Sequence, residues 1–262
     1  MNKLLEIKSL SMQFGGLKAL QDITFDIYEN EVVGLIGPNG AGKTTLFNCI
    51  TQFYKNYEGN VILHNGEGAV DLGELKVTDV ITKGLVRTFQ NIELIPDLTI
   101  IDNVLIGAHS ILKSNFFYDL FNVKKKREED RLFRQKAKDI LELLNIRHLK
   151  DQYVKGQPYG ILKKIEIART LITDPKIIIL DEPAAGLNDV ETDELEQIVK
   201  DIQKRYHMAV LIIEHDMGFV MNVCDRVCAI NFGKFLAIDT PAKIQKNKLV
   251  QEAYLGSEES DA

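Results

Sequence analysis

The sequence has few cysteines, no long hydrophobic run and no excess of positive charge. Its three cysteines, Cys49, Cys224 and Cys228, lack the paired spacing of a metal site, and their odd number argues against a disulfide framework. They are therefore predicted to be buried free thiols. No apolar run approaches the length of a transmembrane helix, and the first eight residues lack a signal-peptide core. The chain is accordingly expected in the cytoplasm.

Charge and composition restrict the class of protein further. The chain has 38 acidic and 32 basic residues, and its formal net charge of −6 argues against a broad nucleic-acid-binding surface, so no nucleic-acid partner is expected. Hydrophobic residues at 45% and charged residues at 27% are ordinary values for a globular protein. With 262 residues and no long-range internal repeat, the chain is long enough for one large domain or two small ones.

A glycine-rich segment matches a phosphate-binding loop. Residues 37–44 fit the pattern G-x-x-x-x-G-K-[ST], they follow a short apolar run that suits a buried strand, and a helix is predicted after them. Lys43 brings positive charge to the terminal phosphates, and the Thr44 hydroxyl can bind Mg²⁺. The helix that continues from Thr45 points its positive N-terminal end at the anion. The predicted nucleoside triphosphate site consists of Gly37, Pro38, Asn39, Gly40, Ala41, Gly42, Lys43, Thr44 and Thr45.

Polar side chains follow three further predicted strands. Asp181 ends an apolar run and is placed to hold Mg²⁺, and Glu182 is placed to orient the attacking water and accept its proton. His215 follows another apolar strand, where it could contact the γ-phosphate or position Glu182. Gln90 could reach metal and water together. Each has a purely structural alternative when taken singly, such as a helix cap, but with the phosphate loop they predict hydrolysis of ATP.

The periodicity of the sequence divides the chain into four parts. Runs 4–13 and 22–28 alternate apolar and polar residues, which predicts antiparallel strands joined at Gly15 and Gly16. Phe14 ends the first strand, where its ring would either stack on adenine or pack in the core. The predicted parts are 1–90, an antiparallel β subdomain with the first part of the core; 91–158, an inserted helical subdomain; 159–256, the second part of the core; and 257–262, a polar tail.

Three further segments carry weaker signals. One stripe of apolar residues predicts a helix at 128–145, and the charged run 124–131 is predicted to be its solvated start. Residues 242–255 are predicted to form one closing helix. A cluster of aromatic residues has two possible roles, either as a surface that docks a partner or as part of the core. The cluster consists of Phe116, Phe117, Tyr118 and Phe121.

These motifs together resemble the ATP-binding subunits of ABC transporters over nearly the whole chain. Residues 37–44 look like the Walker A motif, Gln90 like the Q-loop, and 177–181 like the Walker B strand. Glu182 then corresponds to the catalytic base, His215 to the switch histidine, and Phe14 to the adenine-stacking aromatic. The resemblance implies an α/β fold, in which a RecA-like P-loop NTPase core carries an N-terminal antiparallel β subdomain and an inserted helical subdomain.

The resemblance also implies partners. In this family two ATPase subunits sandwich ATP head to tail, so the second subunit is either the same chain or a paralogue. The resemblance implies that this sandwich drives transmembrane permease subunits. A periplasmic or extracellular binding protein would be an indirect partner that brings the substrate to the permease. The chain is then expected on the cytoplasmic face of the membrane. Residues 157–161 look like the signature that completes the opposite site, with Tyr159 and Gly160 offering backbone N–H groups. Pro158 and Ile161 depart from the general signature pattern, and Asn188 replaces a usual aspartate.

Several segments narrow the resemblance to branched-chain amino acid importers, and the match is closest to their larger ATPase subunit. These segments are residues 14–20, 87–90, 181–188, 213–217 and 253–256. The implied function is uptake of branched-chain or similar amino acids. Alternatives are the ATPase of a urea, amide or lipopolysaccharide transporter, a soluble ABC-type ATPase of DNA repair or translation, or a module that binds ATP without hydrolysing it.

Overall fold

A computed structural model describes residues 2–65, 68–88, 93–108 and 123–258. Its centre is one ten-stranded sheet with the order β5-β4-β1-β2-β10-β9-β3-β8-β7-β6. The sheet joins a parallel half to an antiparallel half. The strands are β1 Lys3–Phe14, β2 Leu17–Tyr28, β3 Val32–Ile36, β4 Tyr57–Asn65, β5 Gly68–Asp71, β6 Leu85–Arg87, β7 Ile177–Asp181, β8 Ala209–Ile213, β9 Arg226–Asn231 and β10 Lys234–Asp239.

The parallel half contains β6, β7, β8, β3 and β9. The central strands β3, β7 and β8 are short and apolar apart from the final Asp181 of β7, as expected for strands that are covered on both faces. In β7, Ile178 and Leu180 pack into the core on one face, while Ile177 and Ile179 pack into the core on the other. Such a sheet gathers the carboxyl ends of its strands at one edge, where ligands bind in open α/β sheets.

The antiparallel half forms the predicted β subdomain. β1 pairs with β2 as a hairpin whose last register pair is Phe14 with Leu17, so the turn lies at Gly15 and Gly16 as predicted. β4 lies on the other side of β1, and β5 pairs with β4 at the edge. A single bridge between Lys234 of β10 and Gln21 of β2 joins the two halves. The hairpin tip of β9 and β10 therefore lies beside the start of β2.

Nine helices occur in the described part of the chain. They are α1 Lys43–Ile50, α2 Val77–Thr82, α3 Ile100–Ala108, α4 Val123–Leu143, α5 Tyr159–Leu171, α6 Asp189–Tyr206, α7 Met217–Val223, α8 Pro241–Gln245 and α9 Lys248–Glu258, with short 3-10 turns at Leu72–Glu74 and Arg147–Leu149. The predicted helix at 128–145 corresponds to most of α4, and residues 127–131 of its charged run are exposed. The aromatic cluster Phe116, Phe117, Tyr118 and Phe121 lies outside the described residues.

The prediction of one closing helix at 242–255 is wrong. The chain instead forms α8 and α9, with a break at Asn247. The Asn247 side-chain oxygen accepts the backbone N–H groups of Leu249 at 3.0 Å and Val250 at 3.4 Å. An asparagine in this position caps the start of a new helix rather than continuing the old one.

The three cysteines are buried and free, as predicted. Burial raises the pKa of each of the three thiols to about 12, so all three stay protonated at neutral pH. Within residues 2–65, 68–88, 93–108 and 123–258, none of the helices combines the length and the apolar character that a membrane span requires.

Candidate functional site

The phosphate-binding loop connects β3 to α1 and is packed closely on its neighbours. A Cβ atom on Gly37 would lie 2.3 Å from the Ile230 carbonyl oxygen, so only glycine fits between the loop and β9. Gly42 has φ +101, and a Cβ there would lie 2.8 Å from the Ala19 carbonyl oxygen. A Cβ on Gly40, by contrast, would meet no atom within 4 Å among the described residues. The loop is thus fixed on its inner side and open on its outer side.

Lys43 reaches back across this loop from the first turn of α1. Its ammonium donates to the carbonyl oxygens of Gly37 at 2.5 Å and Pro38 at 3.0 Å. Burial lowers the pKa of Lys43, and the nearby carboxylate of Glu182 partly restores it. Thr44, the next residue, is exposed at the N-terminus of α1. One cation and one helix N-terminus therefore share the outer face of the loop, which is the arrangement that binds phosphate.

The C-terminal helix also reaches the loop, which the sequence did not indicate. Tyr254 of α9 packs against the core and its hydroxyl oxygen is buried. Burial raises the pKa of this hydroxyl, and a contact with the Gly37 backbone lowers it again. The first residue of the phosphate loop is thus in contact with three other parts of the chain, namely β9, Lys43 and α9.

The two predicted acidic residues lie at the carboxyl end of β7. Burial and the charge of Glu182 raise the pKa of Asp181, while Arg87 and Lys163 lower it. Glu182 has a left-handed backbone with φ +46, and its N–H donates to the Ile213 carbonyl of β8 at 2.9 Å. A non-glycine residue in this conformation is strained by about 1–3 kcal/mol, and such strain collects at functional sites.

His215 lies beside this pair at the end of β8. Its Nδ1 is 4.0 Å from the Glu182 Oε1 and 3.7 Å from the Glu214 Oε2, and its side chain is 62% exposed. The structure therefore brings Lys43, Asp181, Glu182 and His215 to one edge of the sheet. Gln90 lies outside the described residues, so its placement stays a prediction.

Sequence reasoning missed Glu214, whose side chain is only 1% exposed. Its Oε1 accepts the Ala184 N–H at 2.8 Å, and its Oε2 accepts the N–H groups of His215 at 3.0 Å and Asp216 at 3.3 Å. This carboxylate therefore holds together the loop after Glu182 and the turn that carries His215. The sequence does place an acidic residue directly after a fully apolar strand. A carboxylate buried there must be paired or hydrogen-bonded, so this position could have indicated a residue that holds neighbouring loops together.

Arg87 and Thr88 form a second support that was not recognised. The Arg87 guanidinium stacks 3.8 Å from the centre of the Phe53 ring and donates to the Asn48 side-chain oxygen of α1 at 3.1 Å. The Thr88 hydroxyl accepts the Asp181 N–H at 3.4 Å. The end of β6 thereby connects the helix of the phosphate loop to the backbone of Asp181.

The signature-like segment, residues 157–161, leads into α5, whose first turn begins at Tyr159. Pro158 precedes the helix, and proline suits this position because it has no N–H to leave unpaired. Tyr159 is 43% exposed and its ring packs on Gly186, where a Cβ would lie 3.1 Å away. Asn188 forms a capping box with Glu191 at the start of α6, so its side chain accepts the Glu191 N–H at 3.0 Å. That Tyr159 and Gly160 contact a nucleotide stays a prediction.

Phe14 lies at the end of β1. The side chain is 42% exposed and meets the Tyr54 ring edge-on, with 5.4 Å between ring centres and an interplanar angle of 78°. The alternative that Phe14 belongs to the core is therefore wrong, whereas its predicted stacking on adenine remains untested.

These residues fit a nucleotide and a divalent cation. The glycine loop would accept phosphates on its open face, with Lys43 and the N-terminus of α1 as the positive groups. The Thr44 hydroxyl and the Asp181 carboxylate are oxygen ligands, which Mg²⁺ prefers. Glu182 and His215 are then available for proton transfer and charge stabilisation.

Comparisons with known proteins agree with this chemistry. Residues 20–185 match the family model described as ABC transporter, and residues 236–260 match the model described as branched-chain amino acid ATP-binding cassette transporter. The chain is 41% identical to the high-affinity branched-chain amino acid transport ATP-binding protein BraF of Pseudomonas aeruginosa, over 97% of the chain and 98% of the relative. It is 39% identical to the corresponding protein LivG of Escherichia coli, with the same two coverages. A crystal structure of an ATP-binding cassette of an ABC transporter in its ADP conformation superposes with a TM-score of 0.83, at 30% identity, and covers 98% of this chain and all of that one.

Proposed function

Because this chain belongs to the ABC transporter family of ATP-binding cassettes, we propose that it binds and hydrolyses ATP to drive uptake of branched-chain or similar amino acids. The observation that carries the ATPase activity is the convergence of Lys43, Asp181, Glu182 and His215 beside the glycine loop. The amino-acid cargo is supported by the match of residues 236–260 and by the names of the two relatives.

The residues divide the work of phosphoryl transfer among them. Lys43 and the loop N–H groups hold the phosphates, and Thr44, Asp181 and Gln90 would hold Mg²⁺, which neutralises phosphate charge when bound. Glu182 orients a water molecule and accepts its proton. His215, 4.0 Å from the Glu182 carboxylate, is placed to keep that carboxylate aligned and to stabilise charge on the γ-phosphate.

The proposed assembly has two ATPase subunits, either two copies of this chain or this chain with a paralogue. The first turn of α5, with Tyr159 and Gly160, would complete the nucleotide site of the opposite subunit. Closure and opening of the two ATPase subunits would move the permease subunits in the membrane. A binding protein outside the membrane would deliver the amino acid. The chain would accordingly lie at the cytoplasmic face of the membrane.

Reconstitution tests this proposal directly. The purified chain, with a paralogous ATPase subunit where the transporter has one, is combined in vesicles with the candidate permease and binding protein, and uptake of radiolabelled leucine is measured with and without Mg·ATP. We expect ATP-dependent uptake that is absent with a Glu182→Gln chain. ATP hydrolysis without leucine uptake, but with transport of urea, an amide or lipopolysaccharide, would retain the ATPase and overturn the amino-acid cargo. Tight, salt-sensitive binding of nucleic acid by the purified chain would overturn the transporter assignment.

A further inference from the structure

The side chain of Lys163, a residue of α5, lies between the Tyr159 ring in the first turn of this helix and the backbone of Glu182 after β7. Its side chain is only 5% exposed. The ammonium donates to the Glu182 carbonyl oxygen at 3.4 Å and lies 5.6 Å from the centre of the Tyr159 ring. One buried cation therefore contacts both the signature-like turn and the backbone of the proposed base.

The backbone of Glu182 needs such support because it is left-handed. Its N–H is held by β8, and its carbonyl oxygen accepts the Ala185 N–H at 3.2 Å in addition to the ammonium of Lys163. A carbonyl that accepts from a cation is held more firmly than one that accepts only from an amide. The charge of Lys163 thus opposes relaxation of Glu182 toward an ordinary backbone conformation.

The turn on the other side of Lys163 is packed against the same loop. Tyr159 lies on Gly186, and a Cβ on Gly160 would lie 2.6 Å from a Glu191 carboxylate oxygen at the start of α6. A displacement of the first turn of α5 toward these neighbours therefore presses on Gly186 of the loop and on the start of α6. Close packing transmits such a displacement, because the interior has little free volume to absorb it.

We propose that Lys163 is a positioning residue for Glu182 and that it transmits the position of the first turn of α5 to this carboxylate. This inference rests on the proposed function, since it takes Glu182 as the base. The turn that would contact the nucleotide of the partner subunit is thereby joined, within one chain, to the group that acts on the chain's own nucleotide. The Tyr159 ring would then serve as a support for the ammonium.

Lys163→Met tests this inference, because methionine keeps an unbranched stem and removes the charge and the donor. Lys164→Met is the matched control, since Lys164 is 9% exposed in the same turn but pairs with Glu194 at 2.6 Å. Single-turnover hydrolysis and ATP binding are measured for each variant. We expect Lys163→Met to lose about tenfold or more in rate with unchanged ATP affinity. Lys164→Met should keep the rate of the unmodified chain, and Lys163→Arg should recover most of it.

Other results would overturn the inference in distinguishable ways. If Lys163→Met hydrolyses ATP as fast as Lys164→Met, Lys163 does not position Glu182. A loss of ATP affinity parallel to the loss of rate would make Lys163 a general structural residue instead. Should Lys163→Met not fold, Lys163→Gln tests the same connection, because glutamine keeps a polar donor but removes the charge beside the Glu182 carbonyl, and hydrolysis slower than in Lys163→Arg is expected. If Glu182→Gln itself kept full turnover, the proposed function would fail first.

Discussion

The carboxylate of Glu214 accepts the backbone N–H of Ala184 at 2.8 Å. This bond joins the end of β8 to the loop that follows Glu182. The same carboxylate accepts two further N–H groups from its own turn, so three donors share a group that is almost fully buried. The relative position of Glu182 and His215 therefore depends on a residue that is not itself expected to touch the nucleotide.

Glu214→Gln should disturb this arrangement without changing the size of the side chain. The amide keeps one accepting oxygen but turns NH₂ hydrogens toward backbone donors, which leaves buried N–H groups unpaired at a cost of about 1–3 kcal/mol. We expect a loss of that size in denaturant unfolding, together with slower hydrolysis and unchanged ATP affinity. Glu196→Gln is the control, because Glu196 is 8% exposed and accepts a side-chain bond from Asn222 at 3.0 Å, which an amide oxygen can still accept. Equal stability of the two variants would contradict the role given to Glu214.

Lys43→Ala should weaken nucleotide binding. The lysine is the cation at the loop, and a charge-assisted bond to phosphate is worth about 1.5–3 kcal/mol, or roughly ten- to a hundredfold in Kd. Calorimetric titration with Mg·ATP measures this change. Lys55→Ala serves as the control, since Lys55 is an exposed lysine that donates to the Leu75 carbonyl. Unaltered ATP affinity in Lys43→Ala would exclude the proposed phosphate site.

Phe14→Ala should weaken binding of ATP but not of inorganic tripolyphosphate. Stacking of a base on an aromatic ring contributes about 1–3 kcal/mol, and only ATP carries a base. Phe14→Tyr keeps a ring of the same shape and should bind ATP like the unmodified chain. Competition titrations with both ligands separate the two contributions. A parallel loss for ATP and tripolyphosphate would show that Phe14 shapes the loop instead of stacking on adenine.

The catalytic motifs and most of the elements were predictable from local sequence. The spacing of the glycines and the lysine identifies the phosphate loop, and a short apolar run identifies each of the strands β7 and β8. Alternation likewise identified the hairpin of β1 and β2. The break between α8 and α9 was missed because one asparagine stopped a helix whose apolar pattern continued.

The supporting contacts were not predictable because they join residues that are distant in sequence. Lys163 meets Glu182 only because α5 packs beside the end of β7, and Tyr254 meets Gly37 only because α9 returns to the loop. Nothing in a single sequence specifies those distances. The left-handed backbone of Glu182 is likewise set by its neighbours in the fold.

Asp181→Asn should stabilise the nucleotide-free protein while abolishing hydrolysis. Burial and Glu182 raise the pKa of Asp181, so the folded chain binds this proton more tightly than the unfolded chain does. Ionisation of Asp181 therefore opposes folding, fully at a pH above the raised pKa and not at all below the ordinary value of 3.8. The gain in Tm of Asp181→Asn should be largest at neutral and higher pH and should shrink as the pH falls. Exposed Asp201→Asn is the control, and a gain independent of pH would contradict this account.

Glu182→Gln should bind ATP with normal affinity and stop turnover, because the amide keeps the shape of the carboxylate but cannot accept a proton. The expected loss in rate is about 10²–10⁴-fold. In the proposed two-subunit assembly, bound ATP would close the dimer and hydrolysis would open it, so Mg·ATP should convert the variant from monomer to dimer in sedimentation velocity. A Lys43→Ala, Glu182→Gln chain is the control and should stay monomeric, because it lacks the lysine that binds the phosphates.

A dimer of the Glu182→Gln chain with Mg·ATP would show that the first turn of α5 closes a site despite Pro158 and Ile161. ATP binding without any shift would mean that closure requires a paralogous subunit or the permease, and unchanged hydrolysis would remove Glu182 from the mechanism.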